Sequence, residues 1–154
     1  MLKFVDYDVV FQEIPNEVTL AINLSQCPND CVGCHSPFLK LDVGDELNES
    51  TLLDLLKRYA DDVTCISFMG GDRDLSSLVR LAVFVKSHYK QLKVAWYTGR
   101  EQLPEDVSFT AFDFIKVGPY KKEFGPLNKR TTNQHLYKMK DGRIEDDITY
   151  LFWK

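Results

Sequence analysis

Nowhere in this chain do about 18 apolar residues follow one another, the length a helix needs to cross a bilayer. The first residues, "MLKFVDYDVVFQEIP", lack the basic stretch and apolar run of a secretory signal. The expectation is a cytoplasmic protein with no membrane partner. Positive charge is not in excess either: the net charge is −4, so no global field draws in a nucleic-acid backbone and nucleic acid is not an expected partner. Repeats, low-complexity tracts and Pro/Gly/Ser linkers are missing, and 154 residues with 8 glycines and 6 prolines suit one domain, 1–154. Cysteine is scarce at four residues. A core of this size folds without disulfides, and in a reducing compartment clustered thiols hold metal or do redox chemistry.

What is present is an ordinary globular composition, 44% hydrophobic and 12% aromatic. "YDVVFQEI" and "EVTLAINLS" are β-rich runs around Pro15 and Asn16 and predict an N-terminal hairpin. "NESTLLDLLKRYADD" predicts a helix capped by Asn48, with Leu52, Leu53, Leu56 and Tyr59 on one side. "VTCISFMGG" predicts a buried strand. "DLSSLVRLAVFVKSHY" predicts a second helix with Leu75, Leu78, Ala82 and Val85 inward. "KVAWYTG" and "AFDFIKVG" continue the strands, and "QHLYKMK" and "ITYLFW" around Asp141-Gly142 predict a closing C-terminal β-hairpin.

The alternation of strand and helix points to an α/β fold with a short, mainly parallel sheet. Room for about four parallel strands makes it an incomplete (β/α) barrel rather than the full eight. Ligands of such sheets bind beyond the carboxyl ends of the strands. Four sequence features fall there: the cysteine-rich loop, "MGGD", "YTG" and "KVGPY". The basic residues Lys116, Lys121, Lys122, Lys129 and Arg130 of "KVGPYKKEFGPLNKR" read as a solvated loop, with a docking patch as the alternative.

Three of the four cysteines, Cys27, Cys31 and Cys34, lie within eight positions in "CPNDCVGCHS". Thiolates suit zinc and iron–sulfur clusters, and a compact CxxxCxxC loop can wrap three of them around one face of a cubane, leaving one coordination position vacant. Cys65 is either a fourth ligand or, as its position inside a strand suggests, a small packing residue. With His35 the motif also offers Cys3His, a structural zinc set, although adjacent residues seldom share one tetrahedral metal.

This loop, followed by a glycine pair after the next strand, resembles the radical S-adenosylmethionine enzymes. "CPNDCVGCHS" with "MGGD" and "WYTG" is similar to the anaerobic ribonucleoside-triphosphate reductase activating proteins, which are also of about this length. The resemblance implies that Cys27, Cys31 and Cys34 hold a 4Fe-4S cluster. Its open iron would take the amino and carboxylate groups of S-adenosylmethionine. Gly33, Cys34 and His35 would line the nucleoside side of that cofactor. Gly33 replaces an aromatic residue common in the wider superfamily, a change the activating proteins share.

Gly70, Gly71 and Asp72 occupy the glycine–glycine–acid motif that receives the methionine amino group. Thr98 is either a ribose contact or a turn residue, and Lys116 either a carboxylate contact or a solvated lysine. The implied activity is reductive cleavage of S-adenosylmethionine to methionine and a 5′-deoxyadenosyl radical, which takes a hydrogen from a backbone glycine. The implied partners are a large anaerobic ribonucleoside-triphosphate reductase and a small reducing electron donor such as flavodoxin. The alternatives are activation of another glycyl-radical enzyme, a small-molecule radical enzyme, or a non-catalytic zinc-binding interaction module.

Overall fold

The computed structural model describes residues 2–25 and 44–153. Within them the chain builds one mixed sheet of eight strands in the order β3-β1-β2-β4-β5-β6-β7-β8. The strands are β1 (Leu2–Val10), β2 (Thr19–Leu24), β3 (Asp45–Leu47), β4 (Cys65–Met69), β5 (Lys93–Tyr97), β6 (Phe114–Val117), β7 (His135–Lys140) and β8 (Arg143–Asp147). Strands β2, β4, β5 and β6 run parallel to one another; β1 pairs antiparallel with β2 and β3, and β7 with β6 and β8.

Two helices, α1 (Glu49–Tyr59) and α2 (Leu75–His88), precede β4 and β5. Asn48 starts α1 through a capping box: its side chain accepts from the Thr51 amide and the Thr51 hydroxyl accepts from the Asn48 amide, each at 2.9 Å. The buried side of α1 is Leu52, Leu55 and Leu56, so Leu55 takes the place expected of Leu53. In α2, Leu78, Leu81, Ala82 and Val85 are buried. No helix covers the crossover from β5 to β6. Instead Phe109 stacks on Trp96 at 5.8 Å, and Phe112 closes an aromatic trio at 6.1 and 5.9 Å.

Side chains alternate across a strand, and here the two faces differ. Leu20, Ile22, Leu24, Ile66, Phe68, Val94, Trp96, Ile115 and Val117 point to the face covered by the helices and form the main core. The second face carries a smaller cluster of Ile14, Cys65, Ala95, Phe114, Leu136 and Ile148.

Two segments differ from the sequence reading, and both cover that second face. β1 ends at Val10 rather than running to Ile14, and residues 11–16 turn instead, with Asn16 at φ 67°. Ile14 is thereby fully buried in the smaller cluster. "ITYLFW" is not a strand: Thr149–Phe152 is a 3-10 turn, and the closing strand is Arg143–Asp147. The Asp147 carboxylate accepts from the Thr149 amide at 3.0 Å and from its hydroxyl at 2.5 Å, which turns the chain out of the sheet at that point.

Candidate functional site

The carboxyl ends of β2, β4, β5 and β6 lie side by side, as the parallel pairings require. Asn23 is level with Met69, Met69 with Tyr97, and Tyr97 with Lys116. These four belong to the second face. One row below them are Ala21, Ser67, Ala95 and Phe114, three of the four with short side chains. The second face is thus apolar at its amino end, around Cys65 and Ile14, and gains the polar side chains of Asn23 and Lys116 at its carboxyl end, on either side of Met69 and Tyr97.

Asp72 is 5% exposed. Its carboxylate accepts from the Thr98 hydroxyl and from the Gly99 amide at 3.2 Å, so the loops after β4 and β5 are joined at this residue. Arg100 lies beside it, Nε 4.0 Å from the Asp72 carboxylate, and donates from Nη2 to the Asp72 carbonyl at 3.3 Å. The Arg100 amide donates to the Thr98 hydroxyl oxygen at 3.0 Å, and the Arg100 carbonyl accepts from the Gly118 amide at 2.6 Å. Arg100 is a site residue that the sequence reading missed; no motif marks it, and only the meeting of the loops shows it.

Gly70 and Gly71 adopt φ 110° and 89°, a region that favours glycine. A Cβ on Gly71 would meet the Leu24 Cδ1 atom at 3.0 Å and Leu78 at 3.5 Å, so the missing side chain of Gly71 serves the main core. At Gly70 the nearest atoms would be 3.5 Å away. The Gly70 amide donates to the Tyr97 carbonyl at 2.9 Å and its carbonyl accepts from Trp96 Nε1 at 2.7 Å.

Lys116 is 8% exposed, so it is a buried cation rather than a solvated strand-end lysine. Its ammonium donates to the Gly118 carbonyl at 3.0 Å and sits 5.3 Å from the centre of the Tyr97 ring. The Tyr97 hydroxyl donates to the Glu13 carbonyl, and burial pushes its phenol far above the ordinary value, with Glu13 and Cys65 adding to the shift. Tyr97 therefore stays neutral beneath the lysine. Of the residues expected at this mouth, the fold brings Asp72 and Thr98 into direct contact. Lys116 joins Thr98 through the backbone, its carbonyl accepting from the Thr98 amide at 2.9 Å, and its ammonium meets the Gly118 carbonyl that follows.

Cys65 sits in the first row of β4, level with Thr19 at the start of β2. The carboxyl end of the sheet is four residues further along, about 13 Å at 3.3 Å per residue. A thiol there packs against Ile14 and Ala95 and does not reach a ligand seated beyond the end of β2. Cys27, Cys31, Gly33, Cys34 and His35 lie outside the described residues. The segment bearing them starts directly after Ser25, which is 4% exposed and whose hydroxyl has no partner among the described residues. The described side chains at this end include Asn23, Asp72, Thr98 and Lys116, which suit a polar ligand better than an apolar one.

No family model, no curated protein and no solved structure matches the chain. Among the described residues, no helix is long and apolar enough to cross a membrane.

Proposed function

We propose that this chain is a radical S-adenosylmethionine activating enzyme that installs a glycyl radical on an anaerobic ribonucleoside-triphosphate reductase. In this reading it is a single cytoplasmic domain, 1–154, built as an incomplete (β/α) barrel. The observation that carries the reading is a juxtaposition. "CPNDCVGCHS" follows β2 in the sequence after Ser25 and Gln26, "MGGD" begins at the last residue of β4, and β2 and β4 are adjacent parallel strands.

The thiolates of Cys27, Cys31 and Cys34 would hold the 4Fe-4S cluster, with Gly33, Cys34 and His35 beside the nucleoside. When bound, the cluster and S-adenosylmethionine supply one-electron chemistry that amino-acid side chains lack. The chain's own residues orient and charge-match. Gly70, Gly71 and Asp72 offer backbone and carboxylate acceptors to an ammonium, and Lys116 offers a buried cation to a carboxylate. Thr98 offers a hydroxyl at the ribose position while its own bond to Asp72 fixes the loop. Tyr97, neutral and tied to Glu13, holds the lysine over its ring without competing for charge.

The test is anaerobic reconstitution of the full chain with iron and sulfide, reduction with dithionite and an assay for 5′-deoxyadenosine. The expected result is a cluster signal together with 5′-deoxyadenosine, both lost on replacing Cys27, Cys31 or Cys34 by alanine. One zinc per chain and no cleavage of S-adenosylmethionine would instead identify a metal-binding interaction module.

A further inference from the structure

Three of the residues assigned to the mouth are not independent of one another. Asp72, Thr98 and Lys116 come from the ends of three different strands, and one residue touches all three loops. Arg100 reaches Asp72 with its guanidinium, takes the Thr98 hydroxyl with its amide and holds Gly118 with its carbonyl. Gly118 in turn accepts from the Lys116 ammonium at 3.0 Å and from Gln134 Nε2 at 3.4 Å. The two backbone bonds do not use the guanidinium, so replacing it by another non-proline side chain leaves their donor and acceptor in place. The side chain contributes a positive charge beside a carboxylate whose own side chain is only 3% exposed.

We infer that Arg100 is a positioning residue: its guanidinium holds Asp72 as a buried anion against the Thr98–Gly99 turn, and so sets the acceptor that meets the ligand's ammonium. This rests on the function proposed above. The physical reason is the cost of a buried charge, which is high when its neighbour is removed and falls when the charge itself is removed. The effect of losing Arg100 must therefore depend on the charge of Asp72. A role in packing alone would not.

The test is a double-mutant cycle on the reconstituted full-length protein, reading kcat and KM for S-adenosylmethionine. Arg100→Met is expected to raise KM about tenfold with kcat little changed, the size usual for residues that support a binding group. Arg100→Lys, which returns the charge, should recover most of that loss. In an Asp72→Asn background the same Arg100→Met change should alter KM by less than about twofold, because no buried anion remains to be held.

An unchanged KM in Arg100→Met, or an equal rise in both backgrounds, overturns the inference. Amide hydrogen exchange on the chain without its cluster supplies a separate readout. The Gly99 amide, bonded to Asp72, should exchange about tenfold faster in Arg100→Met, while the Gly70 amide, bonded to the Tyr97 carbonyl, keeps its protection. Unaltered exchange at Gly99 overturns the inference as well. If the wild-type protein fails to cleave S-adenosylmethionine, the proposed function falls while the exchange experiment still decides the role of Arg100.

Discussion

Burial pushes the Cys65 thiol up to about 12 from an ordinary 9.0, with Glu17 and Asp113 adding to the rise and Thr19 and Lys93 opposing it. At neutral pH the side chain is a protonated thiol packed in the cluster with Ile14 and Ala95, the state of a small apolar packing residue. Because the folded value is raised, its contribution to stability is complete below pH 9. It is lost as pH climbs toward 12, since only the unfolded chain ionises readily in that window. Peptide mapping after iodoacetamide treatment at pH 8 should find Cys65 unmodified in the native protein and alkylated in urea. Cys65→Ala should keep the full iron content and lose on the order of 1 kcal/mol from the small cavity. Loss of iron in that variant would mean Cys65 is a ligand after all. Gly71 shows the same division between core and mouth. Its sequence neighbours point to a ligand motif, yet a Cβ there would crowd Leu24 of the main core at 3.0 Å, on a backbone whose φ of 89° already favours glycine.

At the level of elements, the start of α1 is set by two reciprocal bonds between Asn48 and Thr51. Asn48→Ala should cost about 1 kcal/mol, read as a shift in the urea midpoint with the slope unchanged. This cap was legible because it is a local chemical signal followed by apolar residues at helical spacing. The strands β4, β5 and β6 were legible for a similar reason, being short apolar runs next to glycine. The closing hairpin was legible only in part. Asp141 and Gly142 both take positive φ, at 52° and 79°, so the two-residue turn pairs Lys140 with Arg143 and the return strand must begin there. That strand is "RIEDD", exposed throughout, whereas "ITYLFW" carries the β-like composition that drew the prediction. Turn geometry outweighed composition. β1 was misplaced because the apolar residues of Phe11–Ile14 looked like strand; burial of Ile14 on the far side of the sheet is a long-range contact with no local signature. Arg100 was hidden for the same reason, its partners being 28 positions back at Asp72 and 18 ahead at Gly118.

For the molecule as a whole, the question is what the second face of the sheet receives. β3 and β8 end the sheet on opposite sides, and both edges are charged, through Asp45 and Glu46 at one and Arg143, Glu145, Asp146 and Asp147 at the other. Such edges discourage pairing with a further strand, so access to the mouth is expected across the carboxyl ends of β2, β4, β5 and β6. A sheet ended by separate strands admits a loop from a large protein, whereas a small substrate is better served by a closed wall around it. The proposed activity therefore predicts a macromolecular hydrogen donor. In an anaerobic mixture of the reconstituted protein, a reductant, S-adenosylmethionine and the candidate reductase, electron paramagnetic resonance should show a glycyl radical. That radical should persist on the reductase after the two proteins are separated. Replacing the radical-bearing glycine of the reductase by alanine should abolish the signal and leave only slow, uncoupled release of 5′-deoxyadenosine. A small nucleoside consumed in proportion to 5′-deoxyadenosine, with no radical on the added protein, would instead assign this mouth to a small-molecule substrate.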